Sequence, residues 1–267
     1  MISRADISPD IEFRSVERRF GDQRVLGPLD LGIERGAMTA LIGPSGAGKT
    51  TFLRLAAGLD WPSSGSVFAL GQETGSLRGK ALRRLRSRIG MIHQSDNLIP
   101  GLRVVHNVLM GRLGSWSFWR SLSSLLRPID LPLAREALRK VGLEERLWAL
   151  PQELSGGEQQ RVAVARLLVQ APRLVLADEP VSSLDQKLGK EILRMLGEFR
   201  RRQGATVAVS LHALDLLGEG FDRVIALRAG RIAWEGTVSE IDRATLRDIY
   251  GAEYRPLHLD ELPIVPA

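Results

Sequence analysis

Residues 37–58 read "AMTALIGPSGAGKTTFLRLAAG". The opening "AMTALI" is a compact apolar run that suits a buried strand, and the closing "TTFLRLAAG" carries a helical pattern. Between them lie Gly43, Pro44, Ser45, Gly46, Ala47, Gly48, Lys49, Thr50 and Thr51. They match G-x-x-x-x-G-K-[ST] in the strand–loop–helix setting where that pattern cradles phosphates. Glycine at 43, 46 and 48 lets the backbone turn its N–H groups toward an anion, and the helix N-terminus adds a favourable field. Lys49 is expected to reach the β- and γ-phosphates of a nucleotide, and the Thr50 hydroxyl to bind Mg²⁺. Gly58 stands where the helix calls for a residue that tolerates positive φ. A glycine-rich turn that merely contains lysine would lack both flanks.

"LVLADEP", residues 174–180, supplies a second half. Its apolar positions suit a buried strand whose end presents Asp178 and Glu179. Mg²⁺ takes oxygen ligands and keeps several waters, so Asp178 can hold it through water. Glu179 can then orient and polarise an attacking water. On these two motifs alone the chain is a phosphate-loop nucleotidase, and many functions stay open.

Composition narrows the classes further. The 267 residues are 44% hydrophobic and 25% charged, which suits a folded chain with a full core. There is no cysteine, so disulfides and thiolate metal sites are excluded. The N-terminal segment is charged throughout and lacks the apolar centre of a signal peptide, and no apolar run is long enough to span a bilayer. A cytoplasmic location is expected, with any work at a membrane done through partners. The net charge of +6 permits nucleotide, nucleic acid or anionic lipid and demands none. The basic stretch "RGKALRRLRSR" (78–88) has no interleaved aromatics for base stacking, so it reads as a solvated helix rather than a nucleic-acid site.

Along the chain, short strands at "IEFRSVERRF" and "LDLGIERG" precede the phosphate loop. "WPSSGSVFALG", "RIGMIHQ", "RLVLADEP" and "ATVAVSLH" read as further strands. "RVIALRAGRIAWEG" reads as a hairpin with Gly230 at its turn. Strands alternating with helices predict an α/β fold with a mostly parallel sheet covered on both faces. Residues from about 98 to 170 look mainly helical, an inserted lobe. It includes "GEQQRVAVARLLVQ", with Val162, Ala165, Leu168 and Val169 on one face. It also holds "GRLGSWSFWRSLSSLLRPID" (111–130), in which Trp116, Trp119, Leu122, Leu125/Leu126 and Ile129 recur at helical spacing up to Pro128. A membrane-surface anchor, ordinary core and a partner-docking surface all fit that stripe.

"LSGGEQQR" (154–161) opens the helix leading to "ADEP". Here the sequence resembles the ATP-binding subunits of ABC transporters, over roughly residues 10–250, with the motifs in the family's order. The resemblance implies a P-loop NTPase core with a mostly parallel sheet. It adds an N-terminal antiparallel β subdomain and an inserted α-helical subdomain at about 95–170, leaving a tail at 251–267 without an assigned role. It implies that Ser155, Gly156 and Gly157 bind the γ-phosphate of ATP held by the opposite subunit. A helix N-terminus with exposed N–H groups is chemically suited to that. A head-to-tail dimer of two copies around two ATP molecules follows. The resemblance also implies that Gln94 in "MIHQ" senses Mg²⁺ and the attacking water, and that Asp185 in "SSLD" contacts the partner subunit. His212 in "SLH" would touch the γ-phosphate, and Phe20 would stack on adenine.

Within that family the sequence is most similar to phosphonate-importer ATPases. The similarity lies in "LRRLRSRIGMIHQSDNLIPGLRVVHNVLMGRLGSWSFWRSL", "LADEPVSSLD" and "DIYG". It departs at His93, where phenylalanine is usual, at Glu158, where glutamine is common, and at Val181-Ser182. The resemblance implies an importer working at the cytoplasmic face of the bacterial inner membrane. Its partners would be two transmembrane permease subunits and, indirectly, a solute-binding protein. Phosphite, phosphate-like anions, amino acids or an exported lipid are the competing cargoes, and a soluble ABC ATPase is the competing class. In this family the helical lobe receives the permease's coupling helices. That places residues 111–130 in lobe packing, partly facing the permease, ahead of a membrane anchor.

Overall fold

The computed structural model describes residues 8–94 and 97–251. Ser95, Asp96 and residues 252–267 of the expected tail lie outside the described residues. The chain runs β1 (Ile11–Phe20), β2 (Gln23–Ile33), β3 (Met38–Ile42), α1 (Lys49–Ala56), β4 (Ser64–Ala69), β5 (Gln72–Glu73), α2 (Gly79–Arg86) and β6 (Ile89–Ile92). The helices α3 (Val104–Leu109), α4 (Phe118–Leu126), α5 (Leu131–Lys140) and α6 (Gly156–Gln170) follow. Then come β7 (Leu174–Asp178), α7 (Gln186–Gln203), β8 (Thr206–Ser210), β9 (Arg223–Arg228), β10 (Arg231–Gly236) and α8 (Arg243–Tyr250).

The central sheet has the order β10-β9-β3-β8-β7-β6. Every pair from β9 to β6 is parallel, and β10 adds an antiparallel edge. The hairpin joining β9 to β10 turns through Ala229 and Gly230, both at positive φ, as a tight two-residue turn requires. β3, β7 and β8 are buried at every position, the signature of strands covered on two faces. Side chains alternate between those faces. Met38, Ala40 and Ile42 of β3, with Val175 and Ala177 of β7, join the core under α3, α6, α7 and α8. Leu41, Leu174 and Leu176 point the other way, into a core shared with α1 and a second, antiparallel sheet of order β2-β1-β4-β5. There the rings of Phe13 and Phe52 stack at 4.3 Å and 9°, tying β1 directly to the helix that begins at Lys49.

The helical segment departs from expectation in two places. α6 buries Val162, Ala163, Val164, Ala165, Leu167 and Val169, so it is covered on most sides rather than along one face. α3, α5, α7 and β6 surround it. The stripe over 116–129 splits. Ser117 accepts from the Arg120 N–H and starts α4 at Phe118, which leaves Trp116 in the preceding turn. Trp116 packs against the main core, whereas Trp119 is 74% exposed and Leu122 44%. The side chains of Leu125 and Leu126 lie outside the described residues. In α2, Arg83 and Arg84 face outward over buried Leu82 and Leu85, whereas half-buried Arg86 turns in and donates to the Gly58 carbonyl beyond the end of α1.

The split predicts opposite stabilities for two substitutions. Trp119→Ala should shift the unfolding free energy by no more than about 0.5 kcal/mol, as exposed side chains do. Trp116→Ala should cost about 2 kcal/mol or more through the cavity it leaves. Urea titration of the two variants checks this.

Candidate active site

The phosphate loop joins β3 to α1, and its glycines are required for different physical reasons. Gly43 has φ 139°, and a Cβ there would sit 2.0 Å from the Leu227 carbonyl oxygen. Gly48 has φ 102° and caps α1, where a Cβ would lie 2.5 Å from Leu26 Cδ2. Gly46 has open space around it but holds φ 73°, a conformation that L side chains rarely adopt. Lys49 is buried, and its Nζ donates to the carbonyls of Gly43 at 2.7 Å and Pro44 at 3.2 Å. The ammonium is thereby held on the loop rather than in solvent.

The acidic pair arrives from the next strands of the same sheet. β7 ends at Asp178, directly opposite Ser210 at the end of β8. The fully buried Ser210 hydroxyl donates to Asp178 Oδ1 at 2.8 Å and accepts from the Glu179 N–H at 2.8 Å. Glu179 then takes φ 48°, an uncommon left-handed value for a residue with a side chain. Its Oε1 lies 2.6 Å from His212 Nε2. A cavity of about 170 Å³ is lined by Ser45 to Thr51 together with Glu179 and His212. An adjacent cavity of about 420 Å³ shares Glu179 and His212 and adds Gln94, Ser182 and Asp185. The loop, Gln94, Glu179 and His212, far apart in the chain, thus converge on two neighbouring cavities.

The other candidate residues stand apart from the loop. Phe20, at the end of β1, is 50% exposed, with the Arg18 guanidinium 4.2 Å from its ring centre. Asp185 caps α7 by accepting from the Leu188 N–H. Ser155 caps α6, and it and Gly156 are exposed. Gly157 is buried, where a Cβ would meet Leu188 Cδ2 at 2.0 Å. None of Ser155, Gly156 and Gly157 lines the loop cavity. Glu158 closes a capping box with Ser155: the Ser155 N–H donates to Glu158 Oε2 and holds its carboxyl below the ordinary carboxylate range. Arg146 lies against the same carboxylate, so this departure from glutamine carries an ion pair.

Ser210 is the residue that motif reading passes over. Its only mark in the sequence is a polar residue closing the apolar run of β8, two positions before His212.

The fold and loop define an α/β nucleotide-binding protein of the phosphate-loop class. The sequence profile of the ABC transporter family matches residues 26–182, and the chain belongs to that family. It is 47% identical over 231 residues to "Phosphonates import ATP-binding protein PhnC 2" of Pseudomonas aeruginosa, covering 86% of each chain. It is 45% identical over 244 residues to the corresponding Thiobacillus denitrificans protein, covering 91% of this chain and 93% of that one. Among solved structures, it resembles the dimeric ATP-binding cassette MJ0796 in a post-hydrolysis state bound to ADP and Pi. That likeness has a TM-score of 0.74 and 31% identity, covering 86% of this chain and all of that one.

Removing the Ser210 hydroxyl frees Asp178 and the Glu179 N–H together. Ser210→Ala should lower the kcat of ATP hydrolysis by about tenfold or more, given two buried hydrogen bonds of ordinary strength. The circular dichroism spectrum should stay that of the parent. Steady-state phosphate release measures it.

Proposed function

We propose that this chain is the ATP-hydrolysing subunit of an importer that energises phosphonate uptake across the bacterial inner membrane. The observation that carries the reading is the convergence of the phosphate loop, Glu179 and His212 on one cavity. The cargo rests on the 45–47% identity to phosphonates import ATP-binding proteins over most of the chain.

In this reading residues 10–250 form one ATP-binding domain, with its helical subdomain at about 95–170. Backbone N–H groups between Ser45 and Thr51 cradle the phosphates, and Lys49 neutralises the β- and γ-oxygens. Phe20 stacks on adenine, with Arg18 behind its ring. Thr50, Gln94 and, through water, Asp178 would hold Mg²⁺. Every donor is an oxygen, which suits that ion. Among the described residues no cluster of three or more His, Cys, Asp or Glu could hold a metal. A site shared with the phosphates therefore fits these donors better than a protein-only cage. When bound, Mg²⁺ offsets the charge that develops on the transferring phosphoryl group.

Glu179 orients the attacking water and takes its proton. His212 steadies the Glu179 carboxylate and contacts the γ-phosphate. Ser155, Gly156 and Gly157 serve the ATP of a second copy, and Asp185 meets that copy across a head-to-tail interface. Their position away from the loop of their own chain supports that division of labour. So does the dimeric state of the MJ0796 cassette. Closure of the dimer passes through the helical lobes to two permease subunits, and a solute-binding protein delivers cargo from the far side. No described helix is long and apolar enough to cross a membrane. As an importer's ATP-binding subunit, the chain would sit peripherally on the cytoplasmic face, against its permease partners.

Glu179→Gln should keep ATP affinity, lose turnover by about 10²-fold or more as removal of a general base does, and accumulate as an ATP-bound dimer. Phosphate release and size-exclusion chromatography with ATP report the outcome, and full retained activity would refute the role. Trp119→Ala should reduce phosphonate uptake in cells more than it reduces basal ATPase activity. Equal loss of both would place Trp119 in packing instead.

A further inference from the structure

We infer that Tyr250, the last residue of α8, is a positioning residue that braces the phosphate loop from beneath through Gly43. The Gly43 N–H donates to the Tyr250 phenol oxygen at 3.0 Å. The carbonyl of the same glycine accepts from Lys49 Nζ at 2.7 Å. Both polar groups of Gly43 are thereby engaged, one by Tyr250 and the other by the lysine assigned to the phosphates.

The rest of the brace comes from the same C-terminal part of the chain. The Leu227 carbonyl presses on Gly43 so closely that no side chain fits there. In the β9–β10 turn, the Gly230 N–H donates to the Ala47 carbonyl at 3.2 Å, and the Gly230 carbonyl accepts from the Gly27 N–H at 2.7 Å. The Arg228 guanidinium donates to the Asp248 carbonyl, which ties the end of α8 to the end of β9. These supports all lie beyond residue 182, where the family profile match stops.

The physical consequence follows from the position of Gly43. It is buried, and its N–H must find an acceptor or carry the cost of a lost hydrogen bond. With the phenol oxygen in place, the Ile42–Gly43 peptide is fixed. The Gly43 and Pro44 carbonyls then hold Lys49 in one position. Without it, the buried Gly43 N–H loses its acceptor, and the adjoining Gly43 and Pro44 carbonyls hold the lysine less firmly.

The inference rests on the reading that this loop binds ATP, and three full-length variants separate the two. Isothermal titration with ADP and steady-state ATP hydrolysis are run on Tyr250→Phe, Tyr250→Ala and Lys49→Ala. Tyr250→Phe keeps the ring and removes only the oxygen. It should raise the ADP Kd and the KM for ATP about three- to tenfold, the worth of one ordinary hydrogen bond. Its kcat should stay within about twofold, since the lost contact serves binding rather than the chemical step. Hydrogen exchange at the Gly43 amide should speed up in the same variant. Parental Kd, KM and Gly43 protection in Tyr250→Phe, with defects confined to Tyr250→Ala, would reduce Tyr250 to packing and overturn the inference. A Tyr250→Phe chain that fails to fold would overturn it too, because the hydroxyl would then support the whole domain rather than the loop. If Lys49→Ala retains parental ADP affinity, the phosphate-loop reading fails and the brace falls with it. If Lys49→Ala loses affinity while Tyr250→Phe does not, only the brace fails.

Discussion

The Ser210 hydroxyl bridges two parallel strands at the point where both end, donating to Asp178 and accepting from the Glu179 N–H. That bridge exists because β7 and β8 pair with Asp178 opposite Ser210, and β3 pairs on the other side with Leu41 opposite the same serine. A register slip of one residue would turn each buried side chain to the other face, so the two cores on either side of the sheet enforce this alignment. The strands consequently finish level, and the phosphate loop, the acidic pair and His212 all emerge from one edge. Ligand sites in parallel α/β sheets form at the carboxyl ends of strands for this reason.

The layers on the two faces do different things for that edge. On one face, α1 and the antiparallel sheet share a core, and the Phe13–Phe52 stack fixes how β1 meets the helix beginning at Lys49. On the other, α6 and α7 lock together where Gly157 leaves room for Leu188. The exposed Ser155 and Gly156 are therefore presented from a rigid seam. A side chain at position 157 would meet the Leu188 methyl group at 2.0 Å and displace it. The loop and the Ser155–Gly157 turn are each held by packing of a different face, with the sheet between them as a common reference.

Much of this was legible in the sequence because it is local. The phosphate loop is contiguous and flanked by its own strand and helix, and the apolar runs of β7 and β8 announce burial without any knowledge of their neighbours. The helix start at "LSGGEQQR" is likewise local chemistry. What escaped reading depends on partners distant in the chain. Ser210 gains its role only when β7 lies beside it. α8 was visible as "DIYG" and not as a helix whose final tyrosine reaches Gly43. The stripe at 116–129 has helical spacing throughout, yet Ser117 restarts the helix and divides a half-buried tryptophan from an exposed one. Periodicity records which residues could share a face and carries no information on whether anything covers it.

Glu179 has a further consequence. Its backbone sits in the left-handed region, where a side chain costs about 1–2 kcal/mol and glycine costs little. A search of sequence space rewarded only for thermal robustness would drift toward glycine or asparagine at this position. It would be scored as an improvement by every measurement of melting, while deleting the carboxylate that faces His212. Attempts to harden this cassette for structural or industrial use should hold position 179 fixed. Position 179 is thus a turn whose backbone favours glycine and whose side chain is nonetheless a carboxylate set against His212.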